Sequence, residues 1–310
     1  MFIFLPPELL GAILVFLPVR DIKNCRFVHS RLAYVGFPYL TQKIFISNFC
    51  PKSIRNIAQS PYGSLSQTKE LVLYNGVWKG RCLNPELYLR NLLFYLPSLQ
   101  SIELSHEYIK RYPQTHAKAL FPLYTVGNSF TTVLRAIEDS SKARKLIITG
   151  VLDTRHIQIE KDLTCITHLS INALQLPDKF ALHFLTQFPN LERLSIQSSH
   201  HWIKSIRISH LRWGALKWLK LNSFCISEDD LLDFIIHHQL LEQLRLEDMC
   251  VDAGSWTSFC LRLQAVSRDI AVLFEGLFSS RPLQRLGPII SGQKLQDLAS
   301  ESPFSVKVCG

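Results

Sequence analysis

The chain has 310 residues, of which 47% are hydrophobic, and its 34 Lys and Arg against 25 Asp and Glu give a net charge of +9. This hydrophobic fraction can fill a large core, which excludes a chain that is disordered throughout. The positive excess lies in residues 1–160, which hold 19 basic and 10 acidic residues. It is not concentrated in a dense Lys/Arg run, which argues against a nucleic-acid-binding protein.

The apolar N-terminus predicts neither a membrane-spanning segment nor a signal peptide. The uncharged run at 9–19 is shorter than the ~20 residues that span a bilayer, and no basic segment precedes the apolar residues. The eight cysteines include no Cys-x-x-Cys spacing, which argues against a zinc or redox motif. We therefore expect an intracellular protein, cytoplasmic or nuclear, with free thiols and no attachment to a membrane.

Three short helices are predicted within the first 49 residues. Pro7 and Glu8 suit the first turn of a helix, Asp21 is a candidate N-cap for a second helix, and a third runs from about 31 toward 40, limited by Pro38. Apolar residues follow at helical spacing: Leu9, Leu10, Ile13, Leu14 and Leu17, then Ile22, Cys25 and Val28. So much apolar surface on so small a unit predicts docking against a partner.

The segment from Leu5 to Leu32 also carries a recognisable motif. A Leu-Pro-x-Glu-Leu opening is followed by spaced apolar, acidic and basic residues: Leu5, Pro6, Glu8, Leu9, Ile13, Leu17, Asp21, Arg26, Val28, Ser30 and Arg31. In these residues the segment resembles an F-box, with His29 inserted before Ser30 and Leu32 in place of the family's frequent Trp. The resemblance implies that residues 1–49 bind a Skp-type adaptor, and through it a cullin. The adaptor-binding residues it implies are Leu5, Pro6, Glu8, Leu9, Ile13, Leu17 and Val28.

The next stretch is less regular. Residues 50–66 are polar and rich in Pro and Gly, which predicts a connector with a short helix at 53–59. Apolar alternation predicts strands at 71–73 and 99–104, with a helix at 85–96 between them. Residues 105–145 break the pattern, with a helix that Asn128 or Ser129 caps. We interpret this as an enlarged unit with an insertion, not a missing repeat, before a strand at 146–148.

One phrase, apolar-x-x-apolar-x-apolar, then occurs four times. The copies span 166–171, 191–196, 216–221 and 241–246, so their last residues are 25 apart. The final alternation predicts a strand with one buried face, and the helical spacing that follows each copy predicts a helix. The phrase and period resemble leucine-rich repeats. The resemblance implies an α/β solenoid over residues 67–278, whose stacked units share one core.

The last part of the chain predicts one more helix start and then a helical cap on the repeats. Ser227 and Asp230 resemble a capping box, which predicts the start of a helix in the last regular unit. Residues 255–278 are apolar at helical spacing and show no further phrase, which predicts a helical cap on the last repeat. Residues 279–310 are weakly patterned and are predicted to form a tail.

The outward face of the predicted strands is the candidate target-binding surface. Alternation places five side chains there: Arg193, Trp218, Lys220, Asn222 and Arg245. Trp and Arg are frequent binding hot spots, and Arg grips carboxylates and phosphates in a bidentate manner. Glu247 interrupts this basic patch. We therefore expect a protein target of mixed acidic and apolar character, and we do not expect a nucleic acid.

No catalytic, metal or cofactor site is predicted. The glycine-rich nucleotide motifs and the Gly-x-Ser-x-Gly motif are absent from the sequence, and the acidic residues 228–230 suit a first helical turn. His200, Cys225 and Cys250 are 25 apart and would stack in adjacent repeats. Three such positions span ~10 Å, too far to share one zinc ion.

The F-box and the repeats together imply a non-catalytic substrate receptor of an SCF-type ubiquitin ligase. Two alternatives remain. One is a scaffold that binds the adaptor but has no role in ubiquitination. The other is a nucleic-acid-binding solenoid that uses the basic half of the chain, whose binding would weaken steeply with salt.

Overall fold

The computed structural model describes residues 4–46, 64–74, 85–105, 126–140, 142–149, 162–174, 179–198, 207–266, 270–279 and 306–308. Over these ranges the chain is an α/β protein with a parallel sheet of ten strands. The strands of this sheet are β1 (Lys43–Ile46), β2 (Glu70–Tyr74), β3 (Ser101–Ser105), β4 (Lys145–Thr149), β5 (His168–Leu174), β6 (Arg193–Ser198), β7 (Trp218–Asn222), β9 (Gln243–Glu247), β11 (Ala271–Glu275) and β13 (Val306–Val308). A smaller sheet contains β8 (Cys225–Ile226), β10 (Cys250–Val251) and β12 (Phe278–Ser279).

The helices in the same ranges are α1 (Pro7–Leu14), α2 (Val19–Val28), α3 (Ser30–Thr41), α4 (Pro85–Phe94), α5 (Val126–Ser140), α6 (Lys179–Thr186), α7 (Glu228–His237) and α8 (Trp256–Ala265). A short 3₁₀ helix spans Ser64–Gln67. Among the described helices, none combines the length and the apolar character that a membrane crossing requires.

The first three helices pack around a small apolar cluster of their own. Leu10 and Leu14 of α1 are fully buried and cluster with Leu32 and Val35 of α3. The two helices approach closely at Gly11, where an added Cβ would lie 3.0 Å from the hydroxyl oxygen of Tyr39. A small residue at position 11 therefore sets the distance between α1 and α3.

The structure departs from the N-terminal helix predictions in three details, at Asp21, Val28 and Pro38. Helix α2 begins at Val19 after Pro18, so Asp21 lies in its first turn instead of capping it. Val28 is 70% exposed and does not share the buried face of Ile22, because six residues make about 1.7 turns. Helix α3 continues through Pro38 to Thr41.

The parallel sheet begins earlier than the sequence suggested. Strand β1 pairs with β2 in parallel, with Ile44 opposite Leu71 and Ile46 opposite Leu73. The predicted boundary at residue 49 placed Lys43–Ile46 in the helical N-terminal segment. The structure corrects this, because these residues form the first strand of the parallel sheet. The reason is that Lys-Ile-Phe-Ile offers only one period of alternation directly after a helix, too short a signal to identify a strand.

The order of strands in the large sheet follows their order in the chain. The ends of the four phrases are register partners: Ile171 lies opposite Ile196, Ile196 opposite Leu221, and Leu221 opposite Leu246. The 25-residue period is therefore a period of the structure. The strands predicted near 71, 99 and 146 are also confirmed, and β3 pairs directly with β4 across the enlarged unit. Helix α5 begins at Val126, so Asn128 and Ser129 lie within it and not at its start.

One continuous apolar core lies between the sheet and the helices behind it. The phrase leucines form its ladder, as predicted: Leu169, Leu194, Leu219 and Leu244 are each at most 2% exposed. Helix residues such as Leu134, Leu185, Leu231 and Phe259 belong to the same cluster. Burial of one such side chain contributes ~1.5–3 kcal/mol to stability. Each unit obtains this burial only by packing against its neighbours, so the shared core holds successive units together.

The predicted helical cap is wrong beyond Ala265. Helix α8 ends there, and Ala271–Glu275 is a strand that pairs with β9, with Val272 opposite Leu244 and Phe274 opposite Leu246. Within the predicted tail, Val306–Val308 pairs with β11. The strand was not predicted because the apolar stretch around it also fits helical spacing and lacks the leucine phrase. The alternation of Ile270, Val272 and Phe274 with period two is too short to decide between the two. The short helix predicted at 53–59 lies outside the described residues.

The turn after each of the last strands has a left-handed residue. Ser223 has φ 63°, Asp248 has φ 48° and Gly276 has φ 61°. The N–H of Ser223 donates to the carbonyl of Glu247 (3.0 Å), and the N–H of Asp248 donates to that of Glu275 (2.8 Å). The turns at Ser223 and Asp248 are therefore tied to the next unit, and all three turns direct the chain from the large sheet into the small one.

Candidate functional site

The five predicted target-binding residues lie together on the face of the sheet opposite the helices, which we call the open face. Arg193 on β6 is opposite Trp218 on β7, and Lys220 on β7 is opposite Arg245 on β9. Arg193 is exposed, and the other four, Trp218, Lys220, Asn222 and Arg245, are partly exposed. Strand alternation, read from the sequence, therefore placed all five on one surface.

Three of these residues converge on Glu247, the acidic residue that interrupts the predicted basic patch. The Lys220 Nζ lies 2.7 Å from a Glu247 carboxylate oxygen, and Asn222 Nδ2 donates to the same carboxylate at 2.8 Å. Arg245 forms an ion pair with Glu247 and lies 3.5 Å from Glu275 on β11. Glu247 itself is only 7% exposed. Lys220 and Arg245, two of the three cations of the predicted patch, are thus matched by the carboxylates of Glu247 and Glu275.

The electrostatic balance keeps Glu247 ionised. Burial by itself raises the pKa of the Glu247 carboxyl group. The hydrogen bonds from Lys220 and Asn222 and the charges of Lys220 and Arg245 lower this pKa by more than burial raises it. The pKa of Glu247 therefore lies below its usual value. This part of the open face therefore carries little excess positive charge. Sequence reasoning missed Glu275 because its strand was predicted to be helical.

At the other end of the open face, a groove of about 720 Å³ lies at the N-terminal ends of β1 to β5. Lys43 bridges its two acidic residues, at 3.0 Å from Glu70 and 3.8 Å from Glu103. Lys142, Arg144 and Lys145 line its other side and are exposed. No ion pair joins these three to an acidic side chain within the described part of the chain.

A second candidate surface lies on the N-terminal helices. Three of the predicted adaptor-binding residues are exposed there: Leu9 is 52% exposed, Ile13 36% and Val28 70%. Sequence reasoning missed other exposed apolar side chains nearby: Phe4, Val15, Phe16, Phe27 and Tyr34. Of the remaining predicted adaptor-binding residues, Pro6 and Glu8 are exposed, whereas Leu5 and Leu17 are half-buried against the helical cluster. We call Leu9, Ile13, Phe16, Phe27 and Val28 the apolar helix surface.

The acidic residues at the start of α7 hold loops in place. Glu228 is buried and accepts from the N–H of Ser255 (3.0 Å), the hydroxyl of Ser258 (2.7 Å) and Arg262 (3.0 Å). Burial raises the pKa of Glu228, but these hydrogen bonds and the Arg262 charge hold it below its usual value. The Glu228 carboxylate therefore fastens the start of α8 to that of α7.

Asp230 completes the start of α7 in an unexpected way. Ser227 is the N-cap, and its hydroxyl accepts from the N–H of Asp230 at 3.2 Å, as predicted. The Asp230 carboxylate does not return this bond in a capping box. It accepts instead from the N–H groups of Ile208 (2.6 Å) and Ser209 (3.1 Å). The side chain thus anchors the loop of the preceding unit.

The cysteines of the stacked column are neighbours in the small sheet. Cys225 lies opposite Cys250, and both are buried free thiols. A hydrogen bond with Cys250, together with burial, raises the pKa of Cys225, so this thiol stays protonated. His200, the third member of the column, lies outside the described residues. In the described ranges, no group of three His, Cys, Asp or Glu side chains is placed to hold a metal ion.

Comparisons with protein-family models and with curated sequences find no significant match to this chain.

Proposed function

We propose that the chain is the substrate-recognition subunit of an SCF-type ubiquitin ligase. In this proposal the three N-terminal helices form an F-box that binds a Skp-type adaptor and, through it, a cullin. The parallel sheet with its helices forms a leucine-rich-repeat solenoid. Two features support the solenoid: the strand order follows the chain, and the phrase residues stack with a 25-residue period.

The apolar helix surface is the observation that carries the proposal. Leu10 and Leu14 of α1 are fully buried, whereas Leu9 and Ile13 on the same helix face outward with Phe16 beyond it, which is 86% exposed. Exposed apolar side chains gathered on one small unit indicate an interaction site. Three of the five residues of this surface, Leu9, Ile13 and Val28, are also positions at which the F-box resemblance implies contact with the adaptor.

The open face would hold the target protein. Binding there would place the target's lysines near the ubiquitin-conjugating enzyme that the cullin recruits. The contribution of this chain to catalysis would be proximity, since holding two reactants together removes much of the entropic barrier. The residues of this chain would bind, and the chemistry would occur on another subunit.

Affinity capture followed by mass spectrometry tests the proposal. The intact chain should capture a Skp-type adaptor and a cullin, and the variant Leu9→Asp with Ile13→Asp should lose both. A control variant, Leu240→Asp with Leu261→Asp, places the same charges on two other exposed leucines and should keep them. Retention of adaptor and cullin by the Leu9/Ile13 variant would contradict the proposal.

The same experiment separates the two alternatives. A substrate receptor that cannot reach its ligase should accumulate its target, so one captured protein should increase in the Leu9/Ile13 variant. A scaffold without a role in ubiquitination would show no such increase. A nucleic-acid-binding solenoid would instead capture nucleic acid, with a steep loss of binding between low and physiological salt.

A further inference from the structure

We propose that the groove at the N-terminal ends of β1 to β5 binds an extended acidic segment of the target protein. We call this site the basic groove, defined by Lys142, Arg144, Lys145 and the neighbouring Arg193. The inference rests on the proposed function, since it locates the target on the open face. It moves the charged contact away from Lys220 and Arg245, where the sequence had suggested it.

The charge arrangement within the basic groove supports an anionic ligand. Both acidic residues of the groove, Glu70 and Glu103, face Lys43. Lys142, Arg144 and Lys145 are exposed on the opposite side. These cations are available to a ligand, because within the described ranges none is ion-paired with an acidic side chain.

The positive region continues along the sheet. Lys145 is the register partner of His168, which is the partner of Arg193. The pKa of His168 is lowered by burial and then by the charges of Arg193 and Lys145, against the opposing charge of Glu192. Lys145, His168 and Arg193 therefore form a row across three adjacent strands, and the basic groove extends along it from β4 to β6.

The region of Lys220 and Arg245 is a weaker candidate. Both cations are paired with Glu247, and Arg245 also approaches Glu275. A ligand carboxylate would have to compete with carboxylates already in place. In the basic groove no such competition exists for Arg144 and Lys145 among the described residues, so the gain from an incoming anion is larger there.

A protein segment fits the basic groove better than a nucleic acid. Glu70 and Glu103 line the groove, so a phosphate chain, which is charged at every unit, would bring negative charge next to them, whereas a peptide can place its acidic side chains at the cations alone. Ile147, which is half-buried, contributes apolar lining between the charged residues. An extended peptide with alternating acidic and apolar side chains can contact both kinds of lining, because successive side chains point to opposite sides.

Fluorescence polarisation with the intact chain tests this inference. The probe is a short labelled peptide of alternating Glu and Leu, compared with the same peptide carrying Gln in place of Glu and with a single-stranded oligonucleotide of equal charge. We expect the Glu peptide to bind about tenfold or more tightly than the Gln peptide. Equal binding of the two peptides, or tighter binding of the oligonucleotide, would overturn the inference.

Matched charge reversals locate the contact. Arg144→Glu with Lys145→Glu should weaken binding of the Glu peptide by about tenfold or more. Arg20→Glu with Lys23→Glu makes the same change of charge at exposed positions on α2 and should leave it unchanged. An equal loss in both variants would show a general charge effect and contradict the inference. If the first variant misfolds by circular dichroism, Arg144→Gln with Lys145→Gln replaces it with the same expected direction.

The outcome is independent of the adaptor. Adaptor binding is measured separately on the same wild-type chain, so loss of the F-box proposal would leave the peptide result intact. Failure of the peptide to bind, with adaptor binding retained, would overturn only the basic groove.

Discussion

The Nε2 atom of His238 accepts a hydrogen bond from the backbone N–H of Trp213, 3.1 Å away and 25 residues earlier in the chain. Its Nδ1 lies 2.7 Å from the carbonyl oxygen of Phe234, so Nδ1 is the donor and the ring is neutral. The imidazole is 2% exposed and stacks on the Phe234 ring at 3.8 Å. His238 is therefore an internal link between two successive units.

This link predicts a pH dependence of stability. Burial lowers the pKa of His238, the charges of Arg212 and His237 lower it further, and the Phe234 carbonyl opposes them. The folded pKa is therefore below the ~6.5 of an unfolded histidine, and between the two values the unfolded chain binds more protons. Stability should be full above about pH 6.5 and fall as the pH drops through that value toward the folded pKa.

Chemical denaturation at pH 7.5 and pH 5.5 measures this effect. His238→Gln should remove part of the pH dependence, whereas His237→Gln, at an exposed position on the same helix, should leave most of it in place, because burial is the largest cause of the lowered His238 pKa. Glu228 and Glu247 titrate below their ordinary pKa of 4.5, so they do not contribute in this range. An identical pH dependence in wild type and His238→Gln would contradict the role of His238.

Gly254 should resist substitution. It has φ +100°, and an added Cβ would lie 2.3 Å from the Oε2 of the buried Glu228. Gly254→Ala should therefore cost more than about 1 kcal/mol, because the strained backbone and the clash act together. Gly214 has no atom within 4 Å of an added Cβ, and Gly214→Ala should change stability by less than about 1 kcal/mol. Thermal denaturation measures the loss of stability in each variant. Equal losses in the two variants would contradict the close packing of Gly254 against Glu228.

Glu247→Gln should destabilise the open face. The change keeps the shape of the side chain but leaves Lys220 and Arg245 without their shared carboxylate, at an expected cost of about 1–3 kcal/mol. Because the pKa of Glu247 is lowered, its stabilisation is present above about pH 4.5 and is lost as the pH falls through the folded pKa. Urea denaturation at pH 7 and pH 4 should show a smaller difference between variant and wild type at pH 4.

A matched control for this change is Glu275→Gln. Glu275 is exposed and contacts Arg245 only at 3.5 Å, so its loss should stay within about 0.5 kcal/mol. A larger effect at position 275 than at 247 would mean that the ion-pair network is centred elsewhere.

The repeated phrase allowed the middle of the fold to be predicted from the sequence. Leu194, Leu219 and Leu244 occupy the same place in units of equal length, and a one-residue shift would turn each of them toward solvent. Their burial follows from pattern alone. The strands β1 and β11 were missed because a few alternating residues without the phrase fit more than one structure.

The candidate site was predictable only in part. Strand alternation placed Trp218, Lys220 and Arg245 on one face. It did not determine where the long side chains end, and both cations turn toward Glu247. The second carboxylate, Glu275, comes from an unpredicted strand. The charge of a surface depends on such side-chain pairing, which periodicity does not specify.

The most direct test of the central claim is the affinity of the purified chain for a purified Skp-type adaptor, measured by isothermal titration calorimetry. We predict that the wild-type chain and the Leu240→Asp, Leu261→Asp control bind with the same affinity. We also predict that Leu9→Asp with Ile13→Asp abolishes the binding heat while circular dichroism shows the same helix content. Undiminished binding by the Leu9/Ile13 variant, or no binding by the wild-type chain, would contradict the assignment of the N-terminal helices as an F-box.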